Sequence, residues 1–250
     1  MNPLTESLLL FATGLVAGTL NVVAGGGSLL TLPVLIFAGL PPTVANGTNR
    51  IGILVQNVGA SWAFHRRGLL ERKPLIGAVG PVVVGAAVGT WVATGVGDLA
   101  FKRVLAGVLV VAALWMLRRA PEAPPDDGGD RQSGLGRLGF ALGWLAVGFY
   151  GGFIQAGVGF VILALAGAAG LDLVRGNALK VTLVLAFTPI SLLIFAHEGM
   201  VEWRPGLALA AGTLLGGQLG VHLTAVRGHA WVKRVVTVVV VLFAIRLWWP

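Results

Sequence analysis

Two polar clusters interrupt an otherwise apolar chain, and each places an asparagine ahead of a cation. They read Ala45-Asn46-Gly47-Thr48-Asn49-Arg50 and Gly176-Asn177-Ala178-Leu179-Lys180-Val181-Thr182. Arginine offers a planar fork of donors and lysine a compact point charge, so Arg50 and Lys180 could hold an oxyanion between them. Asn46, Thr48, Asn49 and Asn177 would add hydrogen bonds, and Thr182 could line the path. A plainer role is open for the same residues. The cations could snorkel to opposite membrane interfaces, while capping is the expected role of the asparagines, each opening a long helix.

Glycine supplies the second feature. Gly25, Gly26 and Gly27 precede Ser28, and the segment from Gln155 to Phe160 repeats the interruption with Gly157 and Gly159. Glycines let a helix unwind, and amides exposed at the start of the next segment, with Ser28 as its cap, would form a positive-ended pocket for an anion. One such run alone reads as a turn between packed helices, but a pair at corresponding places points to a binding site. No Lys-Ser/Thr follows the glycines, so a nucleotide phosphate loop is not expected.

Other chemistry has less support. The chain has no cysteine, which excludes disulfides, thiolate catalysis and Cys-ligated metals. His65, His197 and His229 fall in expected loops and His222 stands alone near a span end, so no metal or other cofactor is expected. Asp98, Asp172, Glu71, Glu198 and Glu202 sit at loops or ends, and no acid lies mid-span. A cation carrier or carboxylate proton relay would normally need one there, so anion handling fits better. Ser28 and Ser61 lie near glycines, but an intramembrane serine enzyme would need a histidine within reach. Gln56, Asn57, Thr188 and Gln218 could line a pathway or bond a neighbouring helix.

These residues need a scaffold, and composition makes it a membrane one. A mean hydropathy of +0.87, with 56% hydrophobic and 11% charged residues, leaves too little polar surface for a soluble globule. The net charge of +8 is spread between apolar runs, which suits lipid headgroups and not nucleic acid. Long apolar runs cover about residues 4–23, 43–64, 74–97, 100–117, 137–154, 178–196, 205–225 and 231–249, near the ~20 residues that cross a bilayer. Two shorter pieces, 28–40 and 160–171, follow the glycine breaks. Pairs such as Gly14/Gly18, Gly85/Gly89, Gly148/Gly152, Gly212/Gly216 and Gly216/Gly220 line single helix faces, a packing device before a functional one.

The halves repeat. At an offset of 131 residues, Gly39, Asn46, Gly68, Glu71, Pro74, Gly85, Gly89, Lys102 and Arg103 fall on Gly170, Asn177, Gly199, Glu202, Pro205, Gly216, Gly220, Lys233 and Arg234. Duplication in a membrane chain points first to a transporter. If the eight long runs alone cross, the basic residues divide almost evenly between the sides. If the short pieces also cross, only Arg50, Lys102, Arg103, Arg204 and Arg246 of the 18 Lys and Arg lie on the sparse side. That asymmetry favours two inverted repeats of about five helical elements, with helices broken at the glycines, in an all-α polytopic membrane protein. An eight-span layout is the competitor. Residues 1–118 form the first repeat, 119–136 a hydrophilic Pro-, Gly- and Asp-rich linker, and 137–250 the second.

Over almost the whole chain, residues 18–33 with their triple glycine, Gly39-Leu40-Pro41-Pro42 leading to Ala45–Thr48, and residues 148–159 followed by Gly170 and Asn177 resemble the TauE/SafE sulfite exporter family. The resemblance implies a bacterial inner-membrane carrier of sulfite or a related sulfur-containing or organic anion. Val158 replaces the middle glycine of the second break and Leu165 stands near the counterpart of Pro33, so the first half-site is expected to be the more polar contributor. The expected partners are a small anion and the bilayer, with a coupling ion and homo-oligomerisation both open. With no ATP-binding motif, a gradient would drive alternating access. A passive anion channel is the alternative.

Overall fold

A computed structural model describes residues 2–24, 26–117 and 136–226. Gly25, most of the linker and the last apolar run at 231–249 lie outside the described residues. The described chain is all-helical: α1 (Pro3–Ala24), α2 (Ser28–Phe37), α3 (Pro42–Arg66), α4 (Arg72–Thr94), α5 (Asp98–Leu117), α6 (Arg137–Phe153), α7 (Val158–Ala168), α8 (Leu173–His197) and α9 (Trp203–Val226). Segments Pro3–Val22, Arg72–Thr94 and Leu173–His197 are each long and apolar enough to cross a membrane by themselves. The 25-residue α3 is long enough too, but it spends many positions on buried polar residues, including Asn46, Thr48, Asn49, Arg50, Gln56 and Asn57. Exposed Leu8, Val16, Ile76, Val84, Trp91, Leu193, Leu207 and Leu215 turn an apolar exterior outward, the inverse of a water-soluble surface.

Helix ends follow local chemistry. The Asp172 carboxylate accepts hydrogen bonds from the backbone amides of Val174 (2.8 Å) and Arg175 (3.0 Å), and so starts α8 at Leu173. Proline at the first turn starts α3. The expected capping roles of Asn46 and Asn177 are therefore corrected: both lie one turn inside helices that begin at Pro42 and Leu173. Ser28 is the first residue of α2 with Gly27 before it, and it makes no capping bond. Gly68 (φ +68°) and Gly199 (φ +69°) take the left-handed conformation just past α3 and α8, where a Cβ would be strained.

Packing is closest where the glycine pairs lie. A Cβ on Gly14, Gly18, Gly212 or Gly216 would strike backbone across the α1–α9 contact, and one on Gly85, Gly89, Gly148 or Gly152 would strike backbone across α4–α6. The matched positions fix direction. Gly14 faces Leu209 to Thr213 and Gly18 faces Thr213 to Gly217, so α1 and α9 run parallel. Gly85 faces Leu145 and Gly89 faces Phe149, so α4 and α6 run parallel; Gly52 on Leu209 and Gly59 on Leu214 make α3 parallel to α9. Because α1 and α3 share the direction of α9, the short α2 between them carries the chain back.

Candidate functional site

The two glycine breaks meet. Gly26 abuts the ring of Phe160, and Gly157 abuts the side chain of Leu29. Both pairs are related by the 131-residue offset, so the contact is reciprocal. Gly27 also packs back onto Ala17 and Asn21 of α1, which folds the chain sharply after Ala24. In the second break Gln155 (φ +57°) and Gly157 (φ +74°) are both left-handed. Glutamine there costs roughly 1–2 kcal/mol relative to ordinary backbone. The Tyr150 hydroxyl donates to the Ala156 carbonyl and closes this turn.

A helix that stops inside a membrane leaves its last carbonyls without partners. Here the two buried cations supply them. Arg50 of α3, with no solvent exposure, donates through Nη1 to the Gly151 carbonyl (3.2 Å) and through Nη2 to that of Gly152 (2.5 Å), at the end of α6. Asn46 donates to the next carbonyl, Phe153, at 2.8 Å, and the Arg50 guanidinium lies 5.1 Å from the centre of the Phe195 ring. Lys180 of α8, 2% exposed, donates to Asn21 O (2.9 Å) and Val22 O (3.3 Å) at the end of α1, and to Asn177 Oδ1 (2.6 Å). Neither cation snorkels. Among the described residues neither is paired with a carboxylate; the described ion pairs join Arg175 to Glu71 and Asp172 near the surface. Helix C-termini carry partial negative charge, which offsets the cations only in part.

Where the breaks converge lies a cavity of about 10 Å³, room for about one water molecule. Its polar wall is Asn21 of α1, Ser28 of α2, Asn57 of α3, Gln155 of the second break and Lys180 of α8, with Gly159 of α7 beside them. Ser28 and Gly159, and likewise Ile53 and Val184, which complete the wall with Val158, are 131-residue counterparts.

Of the predicted site residues, Ser28, Gln155, Gly159 and Lys180 share this cavity. Asn49 stands behind it, donating to Ser28 Oγ at 3.3 Å while accepting from Thr31 Oγ1 at 2.6 Å. Gly26, Gly27 and Gly157 shape the breaks. Asn46 and Arg50 hold the α6 end outside the cavity wall, Asn177 accepts from Lys180 Nζ, Thr48 accepts from the Glu202 amide at 2.9 Å, and Thr182 bonds Ser61 at 2.8 Å. Ser28 and Ser61 are thus bonded to Asn49 and Thr182, not to a histidine. Thr90, which sequence reasoning did not single out, lies 3.0 Å from Gly152 O and 2.8 Å from Ser191 Oγ and so shares the α6 end with Arg50. A hydroxyl within an apolar run was the available signal. Asn57 was read only as a general pathway residue.

Comparison with known proteins follows the same outline. The family model described as "Sulfite exporter TauE/SafE" matches residues 10–247. A Haemophilus influenzae protein named "Probable membrane transporter protein" is 28% identical over 235 residues, covering 92% of this chain and 89% of its own length. A Sinorhizobium sp. "Probable membrane transporter protein ORF9" is 29% identical over 241 residues, covering 95% and 90%. The Escherichia coli K12 "Probable membrane transporter protein YfcA" is 28% identical over 240 residues, covering 96% and 88%. No solved structure matches the chain. With a match that runs through both glycine breaks and nearly the full length, this multi-pass membrane protein belongs to the TauE/SafE family.

Proposed function

We propose that this chain is a secondary transporter of the bacterial inner membrane that carries a small anion, sulfite or another sulfur-containing or organic anion, by alternating access between two inverted repeats. One observation carries the reading: a cavity between the two breaks has Lys180 in its wall, a buried cation with no carboxylate partner among the described residues. An anion there completes the charge balance that α1's carbonyls meet only in part.

The parallel course of α1, α3 and α9, and of α4 and α6, supports the inverted arrangement. Two helices joined by the short 67–71 or 198–202 loop run antiparallel, so α1, α3 and α4 oppose their counterparts α6, α8 and α9. The return through α2 favours five elements per repeat over the eight-span layout.

The mechanism follows from donor counting. Lys180 has three N–H donors and three acceptors. An arriving oxyanion takes one donor and so loosens α1's broken end. The water-sized cavity admits the anion only as its walls part. Ligand binding and rearrangement of the repeats are thereby linked through one ammonium group, which gives the anion a different affinity for each state. A substrate or ion gradient supplies the drive. The test is counterflow in proteoliposomes: saturable sulfite entry stimulated by sulfite inside supports the carrier, and linear, unstimulated flux identifies a pore.

A further inference from the structure

One atom of the cavity wall has no use in simple anion capture. Gln155 is 2% exposed, and its Oε1 has no hydrogen-bond partner. The amide orientation follows from its neighbour. Thr188 Oγ1 donates its single proton to the Val184 carbonyl at 2.6 Å, so toward Gln155 it can only accept, and Gln155 Nε2 faces it in a long 3.5 Å contact. The end left over, on a residue that lines the cavity, is therefore an acceptor. A purely cation-and-donor site would have no place for it, since a bare carbonyl oxygen repels an oxyanion.

The opposite need is met by other residues of the same wall. Ser28 Oγ accepts from Asn49 Nδ2 and makes no donor bond, which leaves its hydroxyl proton available; Lys180 supplies the ammonium. The cavity thus has a donating end and an accepting end, held by separate elements.

We propose that Gln155 is a specificity residue that selects anions bearing a hydrogen-bond donor of their own over anions that carry acceptors only. Monoprotonated oxyanions and hydroxy- or amino-substituted sulfonates and carboxylates belong to the first class; simple alkylsulfonates and fully deprotonated oxyanions belong to the second. The left-handed backbone at Gln155 is what aims the amide, and it is held by the α6 end that Arg50, Asn46 and Thr90 grip. Leaving a buried acceptor unsatisfied disfavours the wrong anion more than forming the bond favours the right one.

The inference rests on the anion-carrier reading and is tested with a matched pair, hydroxymethanesulfonate and methanesulfonate, as competitors of sulfite counterflow in proteoliposomes of the full chain. Hydroxymethanesulfonate is expected to compete at about tenfold lower concentration. In Gln155→Gly the ratio falls to about one; glycine suits φ +57°, so the variant keeps the backbone. Gln155→Asn retains a shorter carbonyl and restores part of the preference. Equal competition by both anions in the unmodified protein, or an unchanged ratio in Gln155→Gly, overturns the inference and leaves the carrier standing. Absence of saturable counterflow overturns the carrier, and the inference with it.

Discussion

Lys180 Nζ donates to the backbone carbonyl of Asn21 at 2.9 Å, and so a cation from the second half of the chain holds the broken end of α1 in the first. The relationship is returned: Arg50, from the first half, holds Gly151 and Gly152 at the broken end of α6. Asn21 and Gly152 are themselves 131-residue counterparts. Each half therefore fills the hydrogen-bonding vacancies of the other, and buried charge joins two helix ends that glycine alone would leave loose. The two cations differ in one respect, since Lys180 lines the cavity and Arg50 does not.

That difference predicts unequal variants. Arg50→Lys keeps the charge but loses the fork that spans two carbonyls. Maximal anion flux is expected to fall about tenfold with little change in the half-saturating concentration, because Arg50 positions the second break and does not touch the anion. Concentration-dependent flux in proteoliposomes separates the two parameters; a rise in half-saturation alone would make Arg50 a ligand.

Close packing predicts a contrast among glycines. Gly148→Ala and Gly216→Ala push a methyl group into the backbone of Val82 and Leu15 and are expected to destabilise by about 1–3 kcal/mol. Gly77→Ala meets no neighbour within 4 Å on the exposed face of α4 and is expected to be neutral or stabilising by up to about 1 kcal/mol. Thermal unfolding in detergent compares the three.

Asp98, at the start of α5, accepts from the Thr43 amide (3.1 Å) and hydroxyl (2.7 Å), capping α3 from a neighbouring helix. Asp98→Ala is expected to cost about 1 kcal/mol, in line with the loss of a cap. The same unfolding assay reads it, with Thr43→Val as the matching change on the other partner.

How much of this was written in the chain can be traced residue by residue. The glycine breaks marked the end of α1 and the start of α2 to within a residue, because the loss of helix propensity is local, while α7 starts at Val158, two residues ahead of the expected piece at 160–171. The small-residue pairs named the two closest helix contacts in the same way. Asn46 and Asn177 misled, since Pro42 and Asp172 start the helices one turn earlier. The partners of Arg50 were not legible at all: its acceptors lie about a hundred positions away, and a backbone carbonyl has no sequence signature. Gln155 likewise gave no sign that its backbone would be left-handed.

The absence of cysteine makes topology directly measurable. Arg67→Cys and Glu198→Cys place single thiols in exposed loops at equivalent positions of the two halves. An impermeant maleimide applied to sealed inverted vesicles is expected to label Arg67→Cys, and applied to intact spheroplasts to label Glu198→Cys. Labelling of both from one side would contradict the inverted arrangement.

The most direct test removes the charge from the cavity wall. Lys180→Met retains length and apolar bulk, and its saturable sulfite counterflow in proteoliposomes is to be compared with that of the unmodified chain at equal amounts of folded protein. A loss of about tenfold to hundredfold is expected when an anion is deprived of a buried charged donor. Undiminished saturable flux in Lys180→Met would contradict the assignment of this cavity as the anion site.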